Sequence, residues 1–306
     1  VASEGAGSDH FGSAVSVYGD YAIIGCRYDD DKGSNSGSAY IFQRVNGTWK
    51  EIKKLVPSDG ASNDYFGESV SISDKYAVVG AYADDDNGGD SGSVYVYSLS
   101  DTSWIPTKLV PDDGAGSDHF GNSVSVSGDT VVVGSRYDDD NGGDSGSVYV
   151  YKLNGGSWVK DVKLTAPDPE SSDNFGYSIS ISGNYLIVGS RYDDDNGMGS
   201  SGSAYIFERS IDGIWSVQQK LTASDPKESD HFGYAVSIDG DYAVIGAPYK
   251  DDNGSNSGSA YVFKNNGGRW IQHTKLLAAD SAESDEFGTS VSISGDTIVV
   301  GSRYDD

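Results

Sequence analysis

Between Asp118 and Leu164 the chain reads DHFGNSVSVSGDTVVVGSRYDDDNGGDSGSVYVYKLNGGSWVKDVKL, and this stretch contains four short apolar segments. Residues 123–126 and 146–151 alternate small or polar side chains with apolar ones, which is the period of a β-strand. Residues 130–134 are apolar almost throughout, as in a strand that is covered on both faces. No segment has a helical period, so the stretch predicts four strands joined by turns rich in glycine, serine and aspartate.

The same pattern recurs along the whole chain. Its clearest marker is Asp-x-Phe-Gly, whose phenylalanines are 54 to 57 residues apart: Phe11, Phe66, Phe120, Phe175, Phe232 and Phe287. The repeats that this marker delimits are residues 9–63, 64–117, 118–172, 173–229, 230–284 and, in part, 285–306. Four antiparallel strands in each repeat, without a helix, are typical of a propeller blade. We therefore predict an all-β fold in which residues 1–306 form a single β-propeller domain, with about six or seven blades in the full ring. A β-solenoid is the alternative, although its coils are usually shorter.

Bulk composition narrows the classes of partner. The chain has 306 residues with 47 acidic and 21 basic side chains, which gives a formal net charge of −26. Such a field repels nucleic acid and anionic lipid, so neither is a predicted partner, whereas cations are attracted. No apolar run is long enough for a membrane helix, so direct membrane insertion is not predicted. The single cysteine, Cys26, cannot form a disulfide within the chain.

The repeat resembles a known family. The Phe-Gly that opens each repeat, followed in the fifth repeat by Gly246-Ala247-Pro248, resembles the FG-GAP repeat of integrin α-subunit propellers. The recurring Ser-Gly-Ser-(Ala/Val)-Tyr segment and the late tryptophan resemble the bacterial and microbial members of that group. The resemblance covers essentially the whole chain. It implies a propeller in an extracellular or cell-surface protein for adhesion or ligand binding, and it implies calcium loops.

The calcium loops of integrins cannot be assigned here residue by residue. In integrins they join the first and second strands of certain blades. In this chain the corresponding turns, such as Tyr18-Gly19-Asp20, are too short to surround an ion.

Acidic residues are concentrated instead in the loop between the second and third strands and in the linkers between repeats. Aspartates at alternate positions, followed by glycines, offer the oxygen ligands and the sharp turn that calcium requires. We predict several calcium ions in these loops, held by the following residues: Asp29, Asp31, Asp84, Asp86, Asp90, Asp138, Asp140, Asp144, Asp193, Asp195 and Asp251. The alternative is a solvated acidic loop whose aspartates only cap turns.

Topology and repetition add four further expectations. In an up-and-down sheet this loop and the linker lie at the same end, so most of the negative charge is expected there. The arginine before Tyr-Asp-Asp is expected to pair with an aspartate in four repeats, at Arg27, Arg136, Arg191 and Arg303. Lysines on the fourth strand are interpreted as protection of the sheet edge. The tyrosines of the loops and third strands are interpreted as packing residues between blades.

No nucleophile elbow, P-loop, zinc spacing or histidine triad is present, so we predict that the protein is not an enzyme. A calcium-dependent lyase or hydrolase is the class that the pattern favours least. The first functional hypothesis is an extracellular calcium-binding propeller that presents its acidic face to a protein or glycan ligand. The alternatives are a lectin-like propeller, and a subunit of an extracellular fibre or matrix. The last of these requires self-association, because the sixth repeat stops after its second strand. We expect instead that the sequence is a piece of a longer chain.

Overall fold

The computed structural model describes residues 7–101, 103–194 and 197–305. Within these residues the chain forms 22 β-strands and no α-helix. Consecutive strands pair antiparallel in five four-stranded sheets, and the last two strands form a two-stranded sheet. The chain is therefore all-β, as predicted, and each four-stranded sheet has the strand order of a propeller blade.

The strands of the first three sheets follow the repeat boundaries. The first sheet contains β1 (Phe11–Tyr18), β2 (Tyr21–Cys26), β3 (Ser38–Val45) and β4 (Thr48–Leu55). The second sheet contains β5 (Ser69–Ile72), β6 (Tyr76–Ala81), β7 (Ser93–Ser98) and β8 (Thr107–Leu109). The third sheet contains β9 (Phe120–Ser127), β10 (Thr130–Ser135), β11 (Ser147–Asn154) and β12 (Ser157–Leu164).

The remaining strands continue the pattern. The fourth sheet contains β13 (Phe175–Ser182), β14 (Tyr185–Ser190), β15 (Ser203–Arg209) and β16 (Trp215–Leu221). The fifth sheet contains β17 (Ala235–Asp239), β18 (Tyr242–Ala247), β19 (Ser259–Asn265) and β20 (Trp270–Leu276). The two-stranded sheet contains β21 (Ser290–Ser294) and β22 (Thr297–Gly301).

The chain divides into two compact units. The first is Val1–Asp138 with Val148–Leu164, and the second is Asp139–Ser147 with Thr165–Asp306. Each unit has its own buried core, built mainly from the second and third strands of its sheets. No helix in the described residues is long and apolar enough to cross a membrane.

Burial follows the periodicities of the sequence. Val131, Val132 and Val133 on β10 are all fully buried, as predicted for a strand covered on both faces. On the fourth strand of the same sheet, Val159 remains exposed. The turn between β9 and β10 contains Gly128 at a φ of 55°, which is the left-handed conformation that tight hairpins require.

Two glycines, one in the marker and one near the end of the second strand, contact each other between successive repeats of a unit. The glycine near the end of each second strand lies against the carbonyl group of the glycine that follows the next marker phenylalanine. A Cβ atom would overlap that carbonyl oxygen in four pairs: Gly25 with Gly67, Gly80 with Gly121, Gly189 with Gly233, and Gly246 with Gly288. The marker phenylalanine is buried in the second to fifth repeats and packs edge-on against a third-strand tyrosine, for example Phe120 on Tyr149 with ring centroids 5.3 Å apart. Close backbone contact thus explains why both glycines recur.

Candidate functional site

In each complete repeat, the loop after the second strand begins with one buried position, and the next two positions are exposed wherever the structure describes them. The first position is a buried aspartate in four repeats and a buried lysine in the fifth: Asp29, Asp84, Asp138, Asp193 and Lys250. The second position is an exposed aspartate in all five repeats: Asp30, Asp85, Asp139, Asp194 and Asp251. The three positions therefore have different chemistry, which their common residue type conceals.

The second aspartate closes a turn. Its Oδ1 accepts the backbone N–H of a residue five or six positions later, over 2.6 to 2.8 Å, in every repeat. The residue that donates has a φ of 52° to 56°, in the left-handed region: Asn35, Asp90, Asp144, Ser200 and Asn256. Asp251, one of the predicted calcium ligands, aligns with these capping aspartates. Asp90 and Asp144 are exposed turn residues, and neither belongs to the carboxylate clusters that the described residues form.

The first and third aspartates are joined by a lysine from the fourth strand. In the second repeat, Lys108 Nζ lies 2.9 Å from Asp84 Oδ2 and 2.6 Å from Asp86 Oδ2. The same ammonium group lies 2.8 Å from Asp59 Oδ2 in the linker, and these contacts raise the pKa of Lys108 against the opposing effect of burial. In the first repeat Lys54 Nζ joins Asp29 and Asp31 at 2.9 and 2.7 Å.

The lysine contact recurs in the later repeats. Lys163 Nζ lies 2.8 Å from Asp138, and Lys220 Nζ lies 3.0 Å from Asp193. Asp140 is exposed, and Asp195 lies outside the described residues. The structure thus brings the predicted first-and-third pairs together in the first two repeats, around an ammonium group. Sequence reasoning missed this role of the lysine, although a Lys-Leu pair ends the fourth strand of every complete repeat.

Linker and loop acids meet at one end of each sheet, as the strand topology predicts. The hydroxyl group of a third-strand tyrosine lies within hydrogen-bond distance of both groups and donates its single proton to one of them at a time. Tyr149 Oη lies 3.0 Å from Asp113 in the linker and 2.8 Å from Asp138 in the loop. Tyr205 Oη likewise lies 2.8 Å from Asp168 and 2.6 Å from Asp193.

The aspartate of the marker is a second buried carboxylate beside the loop. Its Oδ2 accepts a backbone N–H from three residues earlier over 2.6 to 2.7 Å at Asp64, Asp118, Asp173, Asp230 and Asp285. Burial raises the pKa of Asp64 to about 6, and the charges of Asp84 and Asp85 act in the same direction. Burial likewise raises the pKa of Asp173 to about 7, with a further contribution from Asp193.

In the first repeat a buried cysteine joins the marker and loop carboxylates. There, ligand atoms of Asp9, Cys26 and Asp29 all lie within 4.8 Å of one another, and all three residues are buried. Among the described residues, no lysine or arginine forms an ion pair with Asp64 or Asp173. The marker and the first loop position therefore concentrate negative charge in a poorly solvated place.

The fifth repeat has a buried cation at this place. Lys250 is fully buried, and its Nζ donates to Asp230 Oδ2 over 2.9 Å and to the carbonyl oxygen of Asp225. Burial still raises the pKa of Asp230, but Lys250 opposes that effect. One repeat thus carries an ammonium group where the others carry a carboxylate.

A model of the FG-GAP repeat family matches six segments: residues 1–42, 49–97, 106–151, 158–207, 215–263 and 270–306. The chain belongs to the FG-GAP repeat family. Among solved structures, it is similar to the crystal structure of a functionally unknown protein from Desulfotomaculum acetoxidans DSM 771. That likeness has a TM-score of 0.52 at 10% sequence identity, and it covers 86% of this chain and 69% of that chain. A search of curated proteins found no match. The structural likeness supports the fold alone.

Aromatic rings line the same end of these FG-GAP repeats. The second residue of each marker has a φ of 53° to 57°, in the left-handed region: His10, Tyr65, His119, Asn174, His231 and Glu286. Where this residue has a ring, the ring contacts loop tyrosines, as at His10, Tyr65, His119 and His231. The His119 ring lies 4.8 Å from the rings of Tyr82 and Tyr137, and burial with Arg136 lowers its pKa to about 4. Because these contacts join successive repeats of one unit, the interpretation of the loop tyrosines as packing residues between blades is confirmed there.

The arginines do not pair as predicted. Arg27 forms two hydrogen bonds to the carboxylate of Glu68, in the next repeat, rather than to an aspartate of its own loop. Arg136 contacts the His119 ring nitrogen Nδ1 at 3.3 Å, and Arg191 stacks on tyrosine rings. For Arg27 and Arg191 the expected pairing with an aspartate is wrong, because fourth-strand lysines already hold the loop aspartates of their repeats.

Proposed function

We propose that this FG-GAP repeat chain is an extracellular or cell-surface binding module rather than an enzyme. In this proposal its acidic loops bind calcium, and its ligand is a protein or a glycan. The proposal is carried by the buried marker and loop carboxylates, together with the lysine that replaces one of them in the fifth repeat. Neither nucleic acid nor direct membrane insertion is part of it, in keeping with the net charge of −26.

The neighbouring carboxylates are the reason to propose a bound cation. Two neighbouring carboxylates in a poorly solvated place cannot both ionise readily unless a cation lies between them. Burial raises the pKa of Asp64 to about 6 and that of Asp173 to about 7, and the charges of Asp84 and Asp193 add to this effect. In the fifth repeat, the Lys250 ammonium group provides the positive charge. We propose that a calcium ion provides it in the other repeats, since calcium accepts carboxylate and carbonyl oxygens in flexible geometry.

The proposed calcium ligands therefore differ from the eleven aspartates predicted from the sequence. The pairs most suited to a cation are the marker aspartate with the first loop aspartate, namely Asp9 with Asp29, Asp64 with Asp84, and Asp173 with Asp193. Asp31 and Asp86 contact Lys54 and Lys108, as Asp29 and Asp84 do, but they are exposed, so they depend less on a further cation than the buried pairs. Asp251 caps a turn, so it is the weakest of the originally predicted ligands.

Calorimetric titration of calcium into chelator-treated protein tests the proposal. We expect saturable heat, and a rise in melting temperature with calcium. Asp64→Asn and Asp173→Asn should each remove one binding event, whereas the control Asp251→Asn should remove none. Lys250→Asp should add one, because it recreates the carboxylate pair. Absence of both heat and stabilisation in millimolar calcium would exclude calcium binding.

Carbohydrate binding is the second candidate, and one observation favours it. Half-buried tyrosines surround Arg191 in the second unit, with Tyr177 and Tyr192 ring centroids 3.8 and 4.3 Å from its guanidinium carbon. Exposed aromatic faces are suited to stacking on sugar rings.

Self-association through the last repeat remains an alternative, and light scattering that shows a monomer of the intact native protein would rule it out.

A further inference from the structure

The arginine before each Tyr-Asp-Asp has a defined partner position in the next repeat. For Arg27 that partner is Glu68, the residue directly after the marker Phe66-Gly67. Arg27 Nη1 donates to both carboxylate oxygens, at 3.0 and 2.9 Å, and the pair is partly buried. In the first repeat the guanidinium thus binds a carboxylate that the chain supplies from the next repeat.

Arg191 occupies the same place in the fourth repeat but lacks that carboxylate. The residue after the marker Phe232-Gly233 is Tyr234, whose ring centroid lies 5.7 Å from the guanidinium carbon. The ring of Tyr177 lies closer, at 3.8 Å. In the part of the chain that the structure describes, the Arg191 guanidinium makes no hydrogen bond or ion pair, and its Nε is buried without a partner.

The surroundings keep this charge in place without neutralising it. Tyr177 and Tyr234 pack against each other with ring centroids 5.2 Å apart, and both contact the guanidinium. His231 lies between Tyr192 and Tyr249, and its low pKa of about 4, caused by burial and by Arg191, keeps it neutral at physiological pH. The result is a preorganised, half-buried cation with unused donors on an otherwise acidic chain.

We propose that Arg191 binds the carboxylate of an acidic sugar, with the ring of Tyr234 beside the sugar ring. The inference rests on the proposed role as a binding module and names the class of its ligand. In the first repeat the carboxylate of Glu68 fills the corresponding place beside Arg27, so we expect the ligand group at Arg191 to be a carboxylate. The tyrosines favour a sugar over a peptide, since they offer half-buried aromatic faces next to the charge. The net charge of −26 favours a single uronic acid unit over a long polyanion.

The ligand test uses saturation-transfer difference NMR and titration of the whole chain with glucuronate, glucose and N-acetylglutamate. We expect glucuronate to bind, with transfer from tyrosine ring protons to the sugar C–H protons. Glucose should bind at least tenfold more weakly, because it lacks the carboxylate. Binding of N-acetylglutamate as tight as that of glucuronate would overturn the assignment to a sugar, and absence of glucuronate binding would overturn the site.

Two substitutions exchange the residues at the partner position of the arginine, Glu68 and Tyr234, between the two places. Tyr234→Glu supplies the internal carboxylate of the first repeat, so it should weaken glucuronate binding at least tenfold while the melting temperature is kept. Glu68→Tyr removes that carboxylate from Arg27, so it should create a second glucuronate site in the first unit. Arg191→Gln should abolish the original site. If Tyr234→Glu binds glucuronate like the unmodified protein, the proposal is wrong.

The outcomes are separable from those for calcium. All titrations are made with and without calcium, and the Arg191 variants should keep the full calcium heat. Loss of glucuronate binding alone would leave the calcium proposal intact. Loss of calcium heat in the unmodified protein, with glucuronate binding retained, would leave the Arg191 site intact.

Discussion

At the level of single residues, the marker aspartate has opposite electrostatic surroundings in different repeats. Asp173 lies near Asp193, and burial with that charge raises its pKa to about 7. Asp230 instead accepts a hydrogen bond from the buried Lys250 ammonium group. The same residue type, in the same motif, is thus expected to have opposite effects on stability.

Replacing Asp173 should stabilise the calcium-free protein at high pH. The folded-state pKa of about 7 lies above the usual value of 3.8, so the folded state favours the protonated form. The stability from that proton is fully present below pH 3.8 and is lost as the pH rises through 7. At pH 8 without calcium, Asp173→Asn should raise the free energy of unfolding by about 2 kcal/mol, with little change at pH 4. Urea denaturation at both pH values measures this.

The corresponding change in the fifth repeat should have the opposite sign. Asp230→Asn leaves the buried Lys250 without its carboxylate, so it should lower the free energy of unfolding by about 3 kcal/mol at pH 8. The double variant with Lys250→Met should recover most of that loss, because the unpaired charge is then removed. An equal effect of the two asparagine substitutions would contradict the electrostatic account of the marker.

At the level of elements, close contact between successive repeats depends on glycine. A Cβ on Gly80 would overlap the carbonyl oxygen of Gly121 and the hydroxyl of Ser69. Gly80→Ala should therefore lower the free energy of unfolding by about 2–3 kcal/mol, since backbone must move. Gly89→Ala in the loop of the same repeat meets nothing within 4 Å and is the matched control. Thermal denaturation of both variants checks the contrast, and similar melting temperatures would refute it.

The fourth strand is held to the loop and the linker by its penultimate lysine. Lys108→Met leaves the buried Asp84 without its ion-pair partner and should destabilise the protein by about 2 kcal/mol. Lys75→Met is the control, because Lys75 and Asp129 form an exposed pair that is expected to contribute nothing measurable. Calorimetric melting at low salt compares them. Equal melting temperatures would show that the Lys108 contacts do not hold the element.

At the level of the whole molecule, strand pattern was more predictable than side-chain partnership. The alternating and continuous apolar segments predicted the strands, because burial follows periodicity directly, as on β10. The shared end of loops and linkers followed from topology. The side-chain partners could not be predicted in this way, because Lys108, Asp59 and Asp84 are far apart in sequence and come into contact only after the strands pair. Three identical aspartates in a row also gave no sign that one is buried, one caps a turn and one is exposed.

The last prediction concerns the net charge, which is a property of the whole chain. With 47 acidic and 21 basic side chains, self-repulsion opposes folding and is screened by salt. Raising sodium chloride from about 0.05 to 0.5 M should therefore raise the melting temperature by a few degrees. Calcium at about 5 mM, at constant ionic strength, should add a further increase, because it occupies specific carboxylate pairs rather than the general field. Magnesium is the matched control, since its small octahedral shell fits such carboxylate pairs poorly. If magnesium stabilises as much as calcium, the charge acts only through screening and the loops hold no specific ion.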